Sequence, residues 1–85
     1  MPAWVTSPVH QAVITALVDA RKAAGITQRD VATKIGKPPS FVGKVEAIER
    51  NLSVIEFIAW AKAIGVDGGD LLQAVAEQIR GKIEI

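Results

Sequence analysis

Along residues 7–81 the chain keeps meeting residues that start or stop helices. Ser7, Thr27, Ser53 and Asp67 each stand just ahead of an apolar repeat at helical spacing, and Gly25, Gly36, Gly65 and Gly81 each stand just behind one. A short polar side chain at a helix start accepts a bond from a backbone amide that has no partner inside the helix. Glycine closes a helix because it enters the left-handed conformation without steric cost. A chain cut at such short intervals can build only short helices, and those helices must bury their apolar stripes against one another.

The stripes can be read one by one. The first helix starts at Ser7, with Pro8 at the position where a missing N–H costs nothing, and its inward residues are Val13, Ile14, Leu17 and Val18. The second starts at Thr27 with Asp30 three positions on, faces Val31, Ala32 and Ile35 inward, and ends at Gly36. The third covers about Pro39 to Glu46 or slightly more, with Val42 and Val45 as its core residues. The fourth has an S-x-x-E capping box, Ser53 and Glu56, and a hydrophobic staple, Leu52 with Phe57. Its stripe is Phe57, Ile58, Ala61 and Ile64, with Trp60 at the edge as a further core residue. The fifth is capped by Asp67, stapled by Val66 and Leu71, and carries Leu71, Leu72, Val75 and Ile79 up to Gly81. Apolar and polar residues alternate only toward Ile83 and Ile85, so an extended segment is expected at the tail. The expected fold is all-α: a compact five-helix bundle over residues 7–80, an N-terminal arm over 1–6 and a tail over 81–85.

Eighty-five residues make one small domain. A chain of this length buries only about 60–65% of its unfolded surface. With 49% apolar residues, self-association is a natural way to cover more of it. The sequence has no cysteine, which excludes disulfides, a thiolate nucleophile and any cysteine-based zinc site, and fits a reducing cytoplasm. The single histidine, His10, is too few for a typical metal cluster and reads as a first-turn surface residue rather than a general base. No glycine-rich phosphate loop follows a strand, and the carboxylates are scattered among caps. Neither an enzyme nor a cofactor is expected, and no small-molecule ligand is implied. The N-terminal MPAWVTSPVH is not a signal peptide, and no apolar run is long enough to span a membrane.

The net charge of +1 hides an asymmetry. Residues 21–50 hold seven basic and three acidic side chains, whereas residues 51–85 hold three basic and five acidic. A basic middle beside an acidic end suggests one face for an anion, against the plainer reading of a mixed solvated surface.

The ordered set Arg21, Gly25, Thr27-Gln28, Ala32, Gly36, Val42, Glu46, Arg50, Ser53 and Gly65 resembles the lambda-repressor/Cro-like (XRE-type) helix-turn-helix domains, over roughly residues 10–76. The resemblance implies that the second and third helices form the motif. Ala32 would allow their close crossing, Gly36 would make the turn, and Arg21 and Glu46 would form a partly buried ion pair. It also implies binding to double-stranded DNA, with the third helix entering the major groove by its N-terminal end.

In that pose the positions aligned with base readers are Pro39, Ser40, Gly43 and Lys44. Lys44 can reach guanine O6 and N7 or, failing that, a phosphate. Ser40 discriminates poorly, Pro39 offers only apolar contact, and Gly43 permits close approach. Phosphate contacts fall to Gln28 at the start of the second helix, with Arg29, Lys37 and Arg50 around it. Phe41 either packs beneath Pro38 or covers sugar atoms.

Two departures from the family pattern stand out. Pro38-Pro39 replaces a polar cap, and Ile48 occupies a place where glycine is usual, so the third helix is expected to run on or the next loop to differ. The expected function is a sequence-specific regulator, a homodimeric repressor of bacterial or phage origin. Its dimer interface would lie on the last helix and tail, at Leu72, Val75, Ile79, Ile83 and Ile85. The rival expectation is an antitoxin-like module that binds a protein partner through the same fold.

Overall fold

The computed structural model describes residues 2–83. Six helices occur among them: α1 (Ala3–Thr6), α2 (Pro8–Ala23), α3 (Gln28–Ile35), α4 (Pro39–Glu46), α5 (Val54–Ile64) and α6 (Gly68–Glu77). Helices α2 to α6 are the five read from the sequence. The additional α1 is a single turn within the N-terminal arm. It follows the fixed, extended backbone of Pro2 and packs on α2, where the rings of Trp4 and His10 lie 5.2 Å apart. No described residue is in a strand, and none of these helices is long and apolar enough to cross a membrane.

The helix starts follow the capping chemistry. The hydroxyl of Ser7 accepts from the His10 amide at 3.2 Å. At α3 the bonds are reciprocal: the Asp30 amide donates to Thr27 Oγ1 at 3.1 Å and the Thr27 amide to Asp30 Oδ2 at 3.0 Å. Ser53 and Glu56 repeat this box at α5, at 3.1 and 2.9 Å. Asp67 accepts from the Asp70 amide at 2.9 Å. Gly36 and Gly65 end α3 and α5 in the left-handed conformation, at φ 72° and 77°. The next amides turn back into the helices, from Lys37 to the Ala32 carbonyl and from Val66 to the Ala61 carbonyl.

The chain departs from expectation just beyond α4 and at the end of α6. Helix α4 stops at Glu46, and Ile48 takes the left-handed position itself at φ 60°. For an L-residue that conformation costs about 1–2 kcal/mol. The half-buried Ile48 side chain packs against the core, and the Ile48 and Glu49 amides bond back to the Val45 and Lys44 carbonyls at 3.1 and 2.8 Å. Packing and hydrogen bonds hold a conformation that the residue alone would avoid. Helix α6 ends at Glu77, before Ile79, where short-range bonds from Gln78 to Val75 and from Ile79 to Ala76 tighten and close the last turn. No strand forms over the tail residues 79–83, and Ile85 lies outside the described residues.

The core is built by Leu17, Val31, Val42, Val45 and Trp60, all essentially inaccessible to water. Trp60 is therefore central rather than at the edge. Ile58, expected in the buried stripe of α5, points outward at 48% exposure. With Phe57, Trp60, Ala61 and Ile64 inward, Ile58 falls about 100° round the helix from the first of them. Val75 is buried by the packing of α6 on α2.

The capping boxes carry a pH dependence. The Thr27 amide, then its hydroxyl, holds the Asp30 carboxyl below its ordinary value. The Ser53 amide does the same for Glu56, and Arg50 adds to it. Both groups have a lower pKa folded than unfolded. Their stabilisation is present above the unfolded value and is lost as pH falls through the folded one. Thermal melts should show stability declining progressively below about pH 4, with the decline flattened in an Asp30→Asn, Glu56→Gln double variant.

Candidate nucleic-acid interface

Helices α3 and α4 pack against each other, Ala32 of α3 is buried at 1% exposure, and Gly36 turns the chain between them. The arrangement is fixed by a charge cluster on the side of α2. Arg21 Nε donates to Glu46 Oε2 at 2.7 Å, and Arg21 Nη2 donates to Glu46 Oε1 at 3.0 Å. The third arm of the fork, Nη1, reaches the Ile26 carbonyl at 2.9 Å. Both side chains are about nine-tenths buried. A bidentate guanidinium–carboxylate pair fixes orientation as well as distance, so the expected ion pair ties the end of α4 to α2 and to the turn before α3.

Gln28 joins the same cluster. Its Nε2 donates to Glu46 Oε1 at 2.8 Å, so the side chain lies across from α3 onto α4. One amide hydrogen is engaged and the other, with Oε1, remains for an external group. Sequence spacing gave no sign of this bond, because Gln28 and Glu46 sit on different helices and meet only through the crossing angle. Gln28 and Arg29 share a shallow, open depression with Lys22, Thr27 and Pro39. Lys22, not singled out from the sequence, thus stands beside the two expected phosphate contacts.

The outward edge of α4 begins with Pro39 and Ser40, both exposed, and continues through the half-exposed Gly43 to the exposed Lys44. All four expected base-reading positions fall on one face of one helix, from its first residue to its last turn. Its N-cap is Pro38, which offers no side-chain acceptor. A methyl group at Gly43 would lie 3.7 Å from Gln28 Oε1, an ordinary contact, so packing within the chain does not require glycine there.

Phe41 turns the other way and is buried in the core at 8% exposure, which removes it as a cover for sugar atoms. Its ring has Lys37 Nζ 5.4 Å from its centre and the Arg50 guanidinium 4.4 Å from it. Lys37 is exposed beside the motif, as its expected role requires. Arg50 is engaged within the chain. It donates to both carboxylate oxygens of Glu56 at 3.1 and 3.2 Å and to the Asn51 carbonyl at 2.6 Å. Lys34 is also engaged, donating to the Ala63 carbonyl at 3.2 Å near the end of α5.

A helix-turn-helix family model matches residues 17–71, which span α3, the Gly36 turn and α4. The chain belongs to the XRE-type helix-turn-helix family. This is a family of DNA-binding transcription regulators. Among solved structures, this helix-turn-helix chain is similar to an XRE-family like protein from Pseudomonas syringae pv. tomato. They share 43% identity over 85% of this chain and 88% of that one, with a TM-score of 0.82. It is also similar to the restriction-modification controller protein C.AhdI from Aeromonas hydrophila, at 30% identity over 71% and 91% of the two chains and a TM-score of 0.64. The clp gene regulator ClgR from C. glutamicum shares the fold, at 21% identity over 96% and 100% and a TM-score of 0.73. No curated protein shows a significant match.

If Arg21 and Glu46 hold the motif together, removing one partner strands the other in a half-dry site. Glu46→Ala should cost about 3 kcal/mol or more in urea unfolding, far above the 0–1 kcal/mol or so of an exposed pair. A paired Arg21→Met, Glu46→Leu variant should recover part of that loss.

Proposed function

We propose that this regulator is a sequence-specific, homodimeric repressor of bacterial or phage origin, acting in the cytoplasm on double-stranded DNA. The reading rests on one observation. The N-terminal edge of α4 is exposed and flanked by Gln28, Arg29 and Lys37, while its other face is locked into the core. Lys44 is the principal base reader and Ser40 the second. Pro39 and Gly43 keep the edge low enough for the helix to lie deep in the major groove. Gln28, Arg29 and Lys37 hold phosphates and so set register without reading sequence. Residues 7–80 form the DNA-binding body, flanked by the short segments 1–6 and 81–85. No catalytic role and no cofactor is assigned.

One recognition helix reads only a few base pairs, and two half-sites about one DNA turn apart multiply the specificity. The interface we propose differs from the one expected on the last helix and tail. Val75 belongs to the core of its own chain, and Ile79 is half-buried. Leu72 remains exposed, at the side of a groove shared with Val54 and Ile58. Together with Ile55, these residues make an apolar surface on α5 and the start of α6. Val54 and Ile55 are nearly three-quarters exposed, which is unusual for large aliphatic residues in a chain this small. The same surface is what an antitoxin-like reading would give to a different protein.

Selection of bound sequences from random duplex DNA should return a palindrome. Lys44→Ala should weaken binding to that site at least about tenfold and flatten preference at one or two positions, within the range of about 1–3 kcal/mol for a base contact. Equal affinity of the variant and the parent would remove Lys44 as a reader.

Ile55→Glu leaves the core untouched and should convert a sedimenting dimer to a folded monomer with reduced affinity for the palindrome. An unchanged dimer would exclude this face. A parent protein that is monomeric and binds no duplex would favour the protein-partner reading.

A further inference from the structure

Two cations meet at the ring of Phe41 in the first turn of α4, and they are held differently. Lys37 is exposed and lies 5.4 Å from the ring centre. Arg50 lies 4.4 Å from it, and its two Nη atoms are paired with the two carboxylate oxygens of Glu56 at 3.1 and 3.2 Å. Unlike the Arg21–Glu46 pair, this pair sits at the surface: the Arg50 side chain is 42% exposed and that of Glu56 20%. A guanidinium fork grips a carboxylate and a phosphate in the same bidentate manner. Glu56 therefore presents to Arg50, beside the groove-facing helix, the same pair of acceptor oxygens that a DNA phosphate would present.

We propose that Glu56 is an intramolecular stand-in for a DNA phosphate, which occupies Arg50 in the free protein and must be displaced before Arg50 can hold the backbone of the duplex. This rests on the DNA-binding reading above and adds a restraint to it. The exchange involves no bond-making: one anion leaves the fork and another enters. Glu56 is not left bare when this happens, because its Oε1 also accepts from the Ser53 amide at 2.9 Å and keeps that bond. Asn51 holds Arg50 Nη1 through its carbonyl at 2.6 Å, so the fork stays beside α4 during the exchange. The contact also joins the DNA side of the molecule to the start of α5, the helix that carries Val54 and Ile55.

Glu56→Gln tests this cleanly. A glutamine at the same position can still close the capping box with Ser53, while the charge that holds Arg50 is gone. Binding of the parent, Glu56→Gln, Arg50→Gln and the double variant to one duplex is measured across a range of NaCl concentrations, with urea unfolding as a check of the fold. Glu56→Gln should bind roughly threefold or more tighter than the parent with a similar slope of log affinity against log salt, because both complexes hold the same phosphate, whereas Arg50→Gln should flatten that slope by about 0.9, the signature of one lost phosphate contact. The double variant should lose the gain in affinity and keep the flattened slope.

Unchanged or weaker binding by a folded Glu56→Gln protein, or a gain that survives in the double variant, would overturn the proposal while leaving DNA binding intact. Absence of duplex binding by all four proteins would overturn the DNA reading itself, and this inference with it.

Discussion

The helix-turn-helix unit depends on the angle at which α4 leaves α3, and one carboxylate fixes that angle. Glu46 is the last residue of α4. It accepts two bonds from Arg21 on α2 and one from Gln28 on α3. Apolar packing at Val31, Val42 and Val45 brings the helices together but is non-directional. The charged bonds supply the direction. They also explain why Gln28 lies flat across the motif, with part of its amide still free, instead of extending into water.

The chain shows the same economy at α5. Its inner face, Phe57, Trp60, Ala61 and Ile64, completes the core, and its outer face begins with Val54 and Ile55 in water. A helix apolar on both sides is either interior or meets a second surface. Beside that face, α6 contributes only Gly68, Gly69 and Leu72 to the groove it shares with α5.

Most of the fold was legible in the sequence because it is governed by local rules. Ser7, Thr27, Ser53 and Asp67 start helices where they were expected to, and Gly36 and Gly65 stop them, since caps and left-handed glycines act within a few residues. The family pattern then supplied the Arg21–Glu46 pair, which no local rule could give. What stayed hidden was tertiary. Ile48 was expected to avoid the left-handed conformation; its packing against the core holds it there. Arg50 reads as a free cation in the sequence, and only the fold brings it to Glu56 and Phe41. Ile58 left its expected buried face, because a helical stripe fixes which residues stand together but not which of its edges the neighbouring helix covers.

The start of α4 has a consequence for energetics. Every other long helix here begins with a side chain that accepts from its first free amides, whereas α4 begins with Pro38-Pro39 and no such acceptor. Among the described helices of eight residues or more, α4 is thus the one left incomplete at its N-terminus. An oxygen arriving from outside at that end does for α4 what Ser53 does for α5. Any ligand that docked there would thereby link its binding to folding, becoming thermodynamically part of the helix it caps.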